Sequence, residues 1–311
     1  MIAVGLMGVR RQMMDTRYYE VAGMTMRCDS ELPIKDHTFA EKFKLFEVSG
    51  PGEDNVHLVH RFGLPDMDRD LGRQVYCRSP WVIYQNGDQW VYVLETSPDP
   101  AEKQVRQISF VSADHTRAEI YNGDLIRQAY EKGGLGALTM APTDQILLAR
   151  LLADRGGCYL HSDGVDMDGR GFLFVGHSGA GKSTIARQLA DKSEILCDDR
   201  MIVRKWDNGW RIHGNWSHGT MPVVSAGDAP LEAVFFLEKA DENRIVPVES
   251  SMAAISMLLG CLIKPMVNAE WWEKMLSLVE ELARDVPCYR LRFDQSGGIG
   301  EVVQGSRLMA P

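Results

Sequence analysis

Short runs in which apolar and polar residues alternate dominate residues 1–122, and a period of two predicts β-strands. The clearest predicted hairpins pair segment 81–84 with 90–94 and segment 105–111 with 118–121. The first hairpin has Asn86-Gly87 between its arms, and both residue types tolerate the positive φ that a tight turn requires. Residues 39–46 favour one short helix. We therefore predict a small β-rich domain over residues 1–122.

Helical periodicity follows over residues 123–157. Segment 124–132 predicts a short helix that ends at Gly133-Gly134, and Thr143 is the predicted N-cap of a second helix. The second helix carries four leucines in one stripe at helical spacing, namely Leu147, Leu148, Leu151 and Leu152. We interpret this stretch as a helical connector between two domains.

Strands and helices are mixed from residue 158 onward, which predicts an α/β (α+β mixed) second domain over residues 158–311. The predicted strands span 158–161, 172–175, 195–198, 201–205, 210–213, 231–237 and 289–293. The predicted helices span 183–190, 251–262 and 268–283. The apolar stripe of the last helix is predicted at Trp272, Met275, Leu276, Val279 and Leu282.

Charge and cysteine content narrow the class of protein. The 311 residues include 34 Lys and Arg against 43 Asp and Glu, which gives a formal net charge of −9 at pH 7. This balance argues against a broad nucleic-acid or anionic-membrane surface, because such surfaces need clustered cations, but it leaves a local phosphate site open. The 6 cysteines form no C-x-x-C pair, which argues against a disulfide framework, a zinc ribbon and thioredoxin-like chemistry.

No segment has the composition of a membrane span, since no run approaches about eighteen uncharged apolar residues. The apolar residues 1–9 precede Arg10-Arg11, which reverses the order found in a signal peptide. We therefore expect a cytoplasmic protein without membrane or nucleic-acid partners, and we expect its first residues to form a flexible extension.

Residues 176–183 carry the strongest motif. They read G-H-S-G-A-G-K-S and fit the phosphate-loop pattern G-x-x-x-x-G-K-[ST], between an apolar strand and a helix. Glycines let backbone N–H groups converge on a phosphate, and the helix N-terminus adds its dipole. The expected nucleotide-binding residues are Gly176, Ser178, Gly179, Ala180, Gly181, Lys182, Ser183 and Thr184. Among these, Lys182 is expected to reach the β- and γ-phosphates, and the Ser183 hydroxyl is expected to bind Mg²⁺.

Two adjacent carboxylates, Asp198 and Asp199, end the next predicted strand. Side chains alternate in direction along a strand, so one carboxylate can face Mg²⁺ while the other accepts a proton from an attacking hydroxyl. The residues leave open which aspartate has which role. The chain lacks an L-S-G-G-Q signature and an N-K-x-D segment, which argues against transport ATPases and GTPases.

The last half of the chain resembles HPr kinase/phosphorylase, in the phosphoenolpyruvate carboxykinase-like P-loop group. Three features carry this resemblance: a histidine on the strand before the loop, the loop itself and the paired aspartates. The features are His161, residues 176–183 and Asp198-Asp199, and the likeness covers about the last half of the chain. The resemblance is closest to stand-alone HPr kinase-like serine kinases, which have a β-rich front domain and a leucine-rich connector before the loop. The resemblance implies a β-rich N-terminal domain before an HPr kinase-like P-loop domain, and His161 near the transferred phosphate.

These observations favour an ATP- and Mg²⁺-dependent kinase. The expected catalytic residues are Lys182, Asp198, Asp199 and His161, and the expected Mg²⁺ ligands are Ser183, Asp198 and Asp199. By resemblance the acceptor is a serine hydroxyl of a protein, a peptide or the free amino acid, and the protein assembles as a homo-oligomer. Two alternatives remain: a nucleotide sensor that binds ATP without transfer, and a carboxykinase-like or pyrophosphate-using enzyme.

Other histidines are weaker candidates. His57 and His60 are three residues apart on a predicted strand and therefore face opposite ways, which argues against joint metal binding. His213 and His218 flank a tryptophan and line either a substrate pocket or a solvated loop.

Overall fold

The computed structural model describes residues 14–96, 104–141, 143–266, 269–294 and 298–305. It is a mixed α/β structure in which these residues form two large sheets of nine strands each. The segment before residue 14, which the sequence predicts to be an extension, lies outside the described residues.

The first sheet is built by the front third of the chain. Its strands are β1 (Asp15–Val21), β2 (Met24–Ser30), β3 (Glu47–Val48), β4 (Asp54–Phe62), β5 (Arg73–Arg78), β6 (Trp81–Asn86), β7 (Gln89–Thr96), β8 (Gln104–Val111) and β9 (Arg117–Asn122). They lie in the order β3-β1-β2-β4-β9-β8-β7-β6-β5. Both predicted hairpins are confirmed as the antiparallel pairs β6–β7 and β8–β9. The first turn is shifted by one residue: β6 includes Asn86, and Gly87 (φ 58°) and Asp88 make the turn.

The short helix predicted over residues 39–46 is present as a 3₁₀ helix, Glu41–Leu45. It holds the buried Phe43, and its neighbour Phe46 is buried as well. Both rings belong to the core of the first sheet, and that core extends to Tyr159 and Trp216 of the later chain. The two sheets therefore share one continuous apolar cluster.

Two helices connect the sheets. Helix α1 (Asp124–Lys132) has the predicted bounds and ends at Gly133 (φ 84°). Helix α2 (Asp144–Ala153) follows Thr143 as predicted, but the Thr143 side chain makes no capping hydrogen bond. The Asp144 carboxylate instead fixes the backbone before α2, because it accepts hydrogen bonds from the N–H groups of Leu138 and Thr139. The four leucines of α2 are all buried.

The second sheet follows α2. Its strands are β10 (Gly157–Leu160), β11 (Ser162–Met167), β12 (Arg170–Val175), β13 (Glu194–Cys197), β14 (Met201–Trp206), β15 (Gly209–His213), β16 (Asp228–Lys239), β17 (Arg244–Pro247) and β18 (Cys288–Phe293), and its helices are α3 (Lys182–Leu189), α4 (Ser251–Cys261), α5 (Ala269–Asp285) and α6 (Ile299–Gly305). Seven strands lie in the order β10-β14-β15-β16-β12-β11-β13, and β18 pairs with β16 and β17.

Strand directions in the second sheet bring several chain segments to one edge. Strands β12, β16 and β18 are mutually parallel, and β13 runs the same way because β11 is antiparallel to both β12 and β13. The carboxyl ends of β12, β13, β16 and β18 therefore lie on the same edge of the sheet. Ligand sites of α/β sheets lie at this kind of edge.

The stripe predicted for the last long helix is confirmed at Met275, Val279 and Leu282 and wrong at Trp272 and Leu276. The buried residues of α5 are Trp271, Met275, Leu278, Val279 and Leu282. Leu276 is 49% exposed, and Trp271 rather than Trp272 enters the core, where its indole N–H donates to Ala149 O at 2.9 Å. The buried set follows the i, i+4, i+7, i+11 spacing of one helix face more closely than the predicted set. No helix in the described ranges is both long and apolar enough to cross a membrane.

Candidate active site

The glycine-rich loop connects the end of β12 to the start of α3. Gly179 (φ 81°) and Gly181 (φ 106°) adopt left-handed conformations that L-residues rarely adopt. A Cβ at Gly176 would lie 2.6 Å from the Cβ of Ala180, and a Cβ at Gly181 would collide with the ring of Phe293. The glycines at these places therefore allow the tight path that leads into the N-terminus of α3.

Lys182 is the first residue of α3, and its side chain turns back over the loop. It is only 6% exposed, and its ammonium group donates to Gly176 O at 3.0 Å and to His177 O at 3.3 Å. The same Nζ lies 3.5 Å from Asp199 Oδ1. A buried cation is thus held at the loop, where an anionic ligand can take over its hydrogen bonds.

Ser183 and Asp198 form a hydroxyl–carboxylate pair between α3 and the end of β13. Ser183 Oγ donates to Asp198 Oδ1 at 3.0 Å and lies 3.1 Å from Thr220 Oγ1. Asp198 is fully buried, and its Oδ2 accepts the backbone N–H of Met221 at 2.7 Å. These are hard oxygen donors of the kind that Mg²⁺ prefers, so the pair fits that ion.

Asp199 has a different environment from its neighbour. Its Oδ1 lies 3.8 Å from His161 Nδ1 and 3.5 Å from Lys182 Nζ, and its Oδ2 lies 3.4 Å from Arg200 Nη1. Contact with His161 lowers the pKa of Asp199, whereas burial raises it. The charges of Arg200 and Lys182 also lower it, and the resulting pKa is about 2. The carboxylate is therefore ionised at neutral pH.

His161 follows β10 and is tied by its backbone to two neighbours. Its N–H donates to Cys261 O at 2.8 Å, and its carbonyl accepts from the N–H of Gly176 at 3.3 Å. The imidazole is 41% exposed. The structure thus brings two predicted catalytic residues, Lys182 and His161, to the carboxylate of a third, Asp199.

A cleft of about 790 Å³ opens beside the loop. Of the predicted nucleotide-binding residues, it is lined by Ser178, Gly179, Gly181, Lys182, Ser183 and Thr184. Gly176 and Ala180 shape the loop behind it. The far end is lined by residues at other strand ends and on α3, namely Arg187, Lys239, Ala240, Asp241, Phe293 and Asp294.

Sequence reasoning missed Asp163. This residue lies on β11, is fully buried, and accepts the backbone N–H of Asp199 through Oδ1 at 2.8 Å. Burial and the charge of Asp198 raise its pKa to about 8, although the Asp199 hydrogen bond acts in the opposite direction. The only signal in the sequence was a carboxylate two residues after His161, on a strand that pairs with the loop strand.

The candidate His218 directly precedes Gly219, which lines this cleft, whereas His57, His60 and His213 are not among the described residues that line it. His57 Nε2 contacts Asp29 Oδ2 at 2.8 Å on the first sheet, whereas His60 is fully buried. His213 is buried and accepts the indole N–H of Trp206 at 3.1 Å, so it does not line the cleft. Within the described part of the chain no three His, Cys, Asp or Glu residues form a metal-binding group.

Comparisons with known proteins identify one family and distant relatives. The model of the family described as SynChlorMet cassette protein ScmC matches residues 137–306. An HPr kinase/phosphorylase from Chlorobium phaeobacteroides (strain BS1) is 31% identical over 107 residues, which are 33% of this chain and 32% of that protein. The chain thus spans about a third of the length of that relative, and the relationship is distant.

Among solved structures, the Hpr(Ser) kinase/phosphatase from Coxiella burnetii is similar at 14% sequence identity, with a TM-score of 0.29. The match covers 48% of this chain and 96% of that chain.

Proposed function

The chain belongs to the family of SynChlorMet cassette protein ScmC, and from its site geometry we propose that it is an ATP- and Mg²⁺-dependent kinase. In this proposal the γ-phosphate passes to a serine hydroxyl of a protein, a peptide or the free amino acid. The observation that carries it is the cluster at one sheet edge: a glycine-rich loop at a helix N-terminus, the Ser183–Asp198 pair, and Asp199 beside Lys182, Arg200 and the His161 imidazole. Distant kinship with an HPr kinase/phosphorylase supports the same class.

The contacts of the two aspartates suggest how they divide the chemistry, which the sequence leaves open. Asp198 contacts Ser183, so we assign these two residues to Mg²⁺. Asp199 contacts His161 and Lys182 instead, so we assign it to the acceptor hydroxyl, whose proton it accepts. When bound, Mg²⁺ would neutralise phosphate charge as it does in other phosphoryl-transfer sites.

Lys182 links nucleotide binding to the strength of this base. In the ligand-free protein its ammonium group helps to keep the pKa of Asp199 low, and a carboxylate with such a pKa is a weak base. A phosphate group at the loop is a competing partner for Lys182, because charge-assisted hydrogen bonds to phosphate are strong. In the proposed reaction, ATP binding therefore draws Lys182 from Asp199 and makes Asp199 a better base.

The proposed division into domains follows the sequence: a β-rich domain over residues 1–122, a connector over 123–157, and a P-loop domain over 158–311. The first domain would recruit the acceptor or cover the site. Phe43 and Phe46 of the first domain contact Trp216 at ring-centroid distances of 5.5 and 5.4 Å. This contact supports a connection between the first domain and the site, because Trp216 lies on the segment that also holds Thr220.

The decisive experiment is Mg²⁺-ATP turnover by the purified protein, alone and with free L-serine, seryl peptides or HPr. We expect one acceptor to stimulate turnover. In the Lys182→Ala variant we expect the stimulated turnover to fall at least about 100-fold, because one preorganised charge contributes that much. Lys192→Ala, at an exposed lysine beyond the end of α3, is the matched control. ATP binding without stimulation by any acceptor would contradict the kinase proposal and favour a nucleotide sensor.

A further inference from the structure

Asp163 has two unusual properties for a carboxyl group. It is completely buried on strand β11, between β12 and β13, yet among the described residues its Oδ2 has no hydrogen-bond partner. Its Oδ1 accepts the N–H of Asp199 at 2.8 Å. An acidic side chain in such a position is costly, so a stabilising role for the fold alone gives little reason for it.

The residue that Asp163 holds is itself in an uncommon conformation. Asp199 has φ 83°, in the left-handed region, where an L-residue other than glycine pays a backbone penalty of about 1 kcal/mol or more. This conformation begins directly after Asp198, which contacts Ser183. It redirects the chain so that the Asp199 carboxylate meets His161, Lys182 and Arg200.

We propose that Asp163 is a positioning residue that fixes Asp199 in its left-handed conformation through the Asp199 N–H···Oδ1 hydrogen bond, and so sets the direction of the Asp199 carboxylate. Its importance for catalysis rests on the proposed kinase function, whereas its effect on the conformation of Asp199 does not. The charge of Asp198 also acts on Asp163, which lies beside both aspartates.

Two substitutions separate loss of the hydrogen-bond acceptor from loss of the carboxyl group. Asp163→Asn keeps a carbonyl-type oxygen that can accept the Asp199 N–H, whereas Asp163→Ala removes it. We expect Asp163→Ala to lose about 100-fold in kcat, the loss that a misplacement of about 1 Å can cause, while the Kd for Mg²⁺-ATP changes less than about threefold. We expect Asp163→Asn to retain kcat within about tenfold of the wild type, because its acceptor remains.

Asp166→Ala is the matched control, since Asp166 lies three residues further on the same strand and accepts the Gly169 N–H in its own turn. Thermal unfolding of all variants reports any general loss of stability. A kcat for Asp163→Ala equal to that of the wild type, or equal damage in both variants, would overturn the proposal.

Crystal structures of the two variants give a readout that needs no activity. We expect the φ of Asp199 to leave the left-handed region in Asp163→Ala and to stay there in Asp163→Asn. An unchanged φ in Asp163→Ala would refute the positioning role. If the wild type transfers phosphate to no acceptor, the kinase proposal fails, and the φ of Asp199 still decides the role of Asp163.

Discussion

Ser183 Oγ donates a 3.0 Å hydrogen bond to Asp198 Oδ1, and this bond joins the first turn of α3 to the end of β13. Asp198 Oδ2 is occupied by the backbone N–H of Met221. The carboxylate is therefore fixed in orientation by partners on both sides, and its contact with Ser183 is the one that a metal ion can replace. This geometry supports the proposed assignment of Mg²⁺ to Asp198 and Ser183, and of a different role to Asp199.

Asp198→Asn and Ser183→Ala should weaken the response to Mg²⁺. An amide or a methyl group is a poorer partner for this cation than a carboxylate or a hydroxyl, so we expect the Mg²⁺ concentration at half-maximal turnover to rise about 10- to 100-fold. Titration of turnover with Mg²⁺ at saturating ATP measures this. Ser193→Ala is the matched control, because Ser193 Oγ donates to Leu189 O at the other end of α3. An unchanged Mg²⁺ requirement in both variants would contradict the assignment.

Asp199→Asn should abolish transfer and spare nucleotide binding. The amide cannot accept the proton of the attacking hydroxyl, and loss of a general base costs about 10²- to 10⁴-fold in rate. Mg²⁺-ATP affinity should stay the same or improve, because a negative charge beside Lys182 is removed. Calorimetry and a transfer assay on the same sample test both parts. Asp207→Asn, at an exposed turn, is the control; weaker ATP binding with normal transfer would reverse the two assigned roles.

Trp216 should be a major contributor to stability across the two sheets. It is 1% exposed, its rings contact Phe43 and Phe46, and its indole N–H donates to Asp144 Oδ2 at 2.9 Å. We expect Trp216→Ala to lower the free energy of unfolding by about 3–5 kcal/mol.

Trp216→Phe keeps most of the apolar contact and leaves the buried Asp144 without one donor, so we expect a loss of about 1–3 kcal/mol. Urea unfolding measures both values. Trp272→Ala serves as the comparison, because Trp272 is only partly buried, and it should cost less than Trp216→Ala. Equal losses at the two tryptophans would show that the contact between the sheets is unimportant.

Local patterns predicted the features that depend on neighbouring residues. The hairpins of the first sheet, the bounds of α1 and the strand–loop–helix around Lys182 all follow from turn residues and periodicity over a few positions. The stripe of α5 was wrong at two of its five residues, because its apolar residues cover more than one face and Trp271 and Leu278 are buried in place of Trp272 and Leu276.

The arrangement around the aspartates could not be predicted in this way. The bond from Asp199 to Asp163 joins residues 36 positions apart, and it exists because β11 pairs with both β12 and β13. The indole bond from Trp216 to Asp144 spans 72 positions. Residue spacing along the chain does not reveal such pairings, and Asp163 lay outside every predicted strand.

Acid should destabilise the protein through three buried histidines. Burial lowers the pKa values of His60, His115 and His213 to about 4, while the same groups in the unfolded chain titrate near 6.5. Between these values the unfolded chain binds more protons than the folded one, so stability is complete above about pH 6.5 and falls as the pH is lowered towards about 4. Each pKa unit is worth about 1.4 kcal/mol, so each histidine can contribute up to about 3 kcal/mol.

Urea unfolding between about pH 7.5 and pH 5 measures this dependence. We expect His60→Gln to flatten the curve, because a glutamine has no proton to gain, even if its stability at pH 7.5 is lower than that of the wild type. His37→Gln, at an exposed histidine, is the matched control. A slope in His60→Gln as steep as in the wild type would mean that His60 already carries its proton in the folded protein, and that its burial is compensated by a partner.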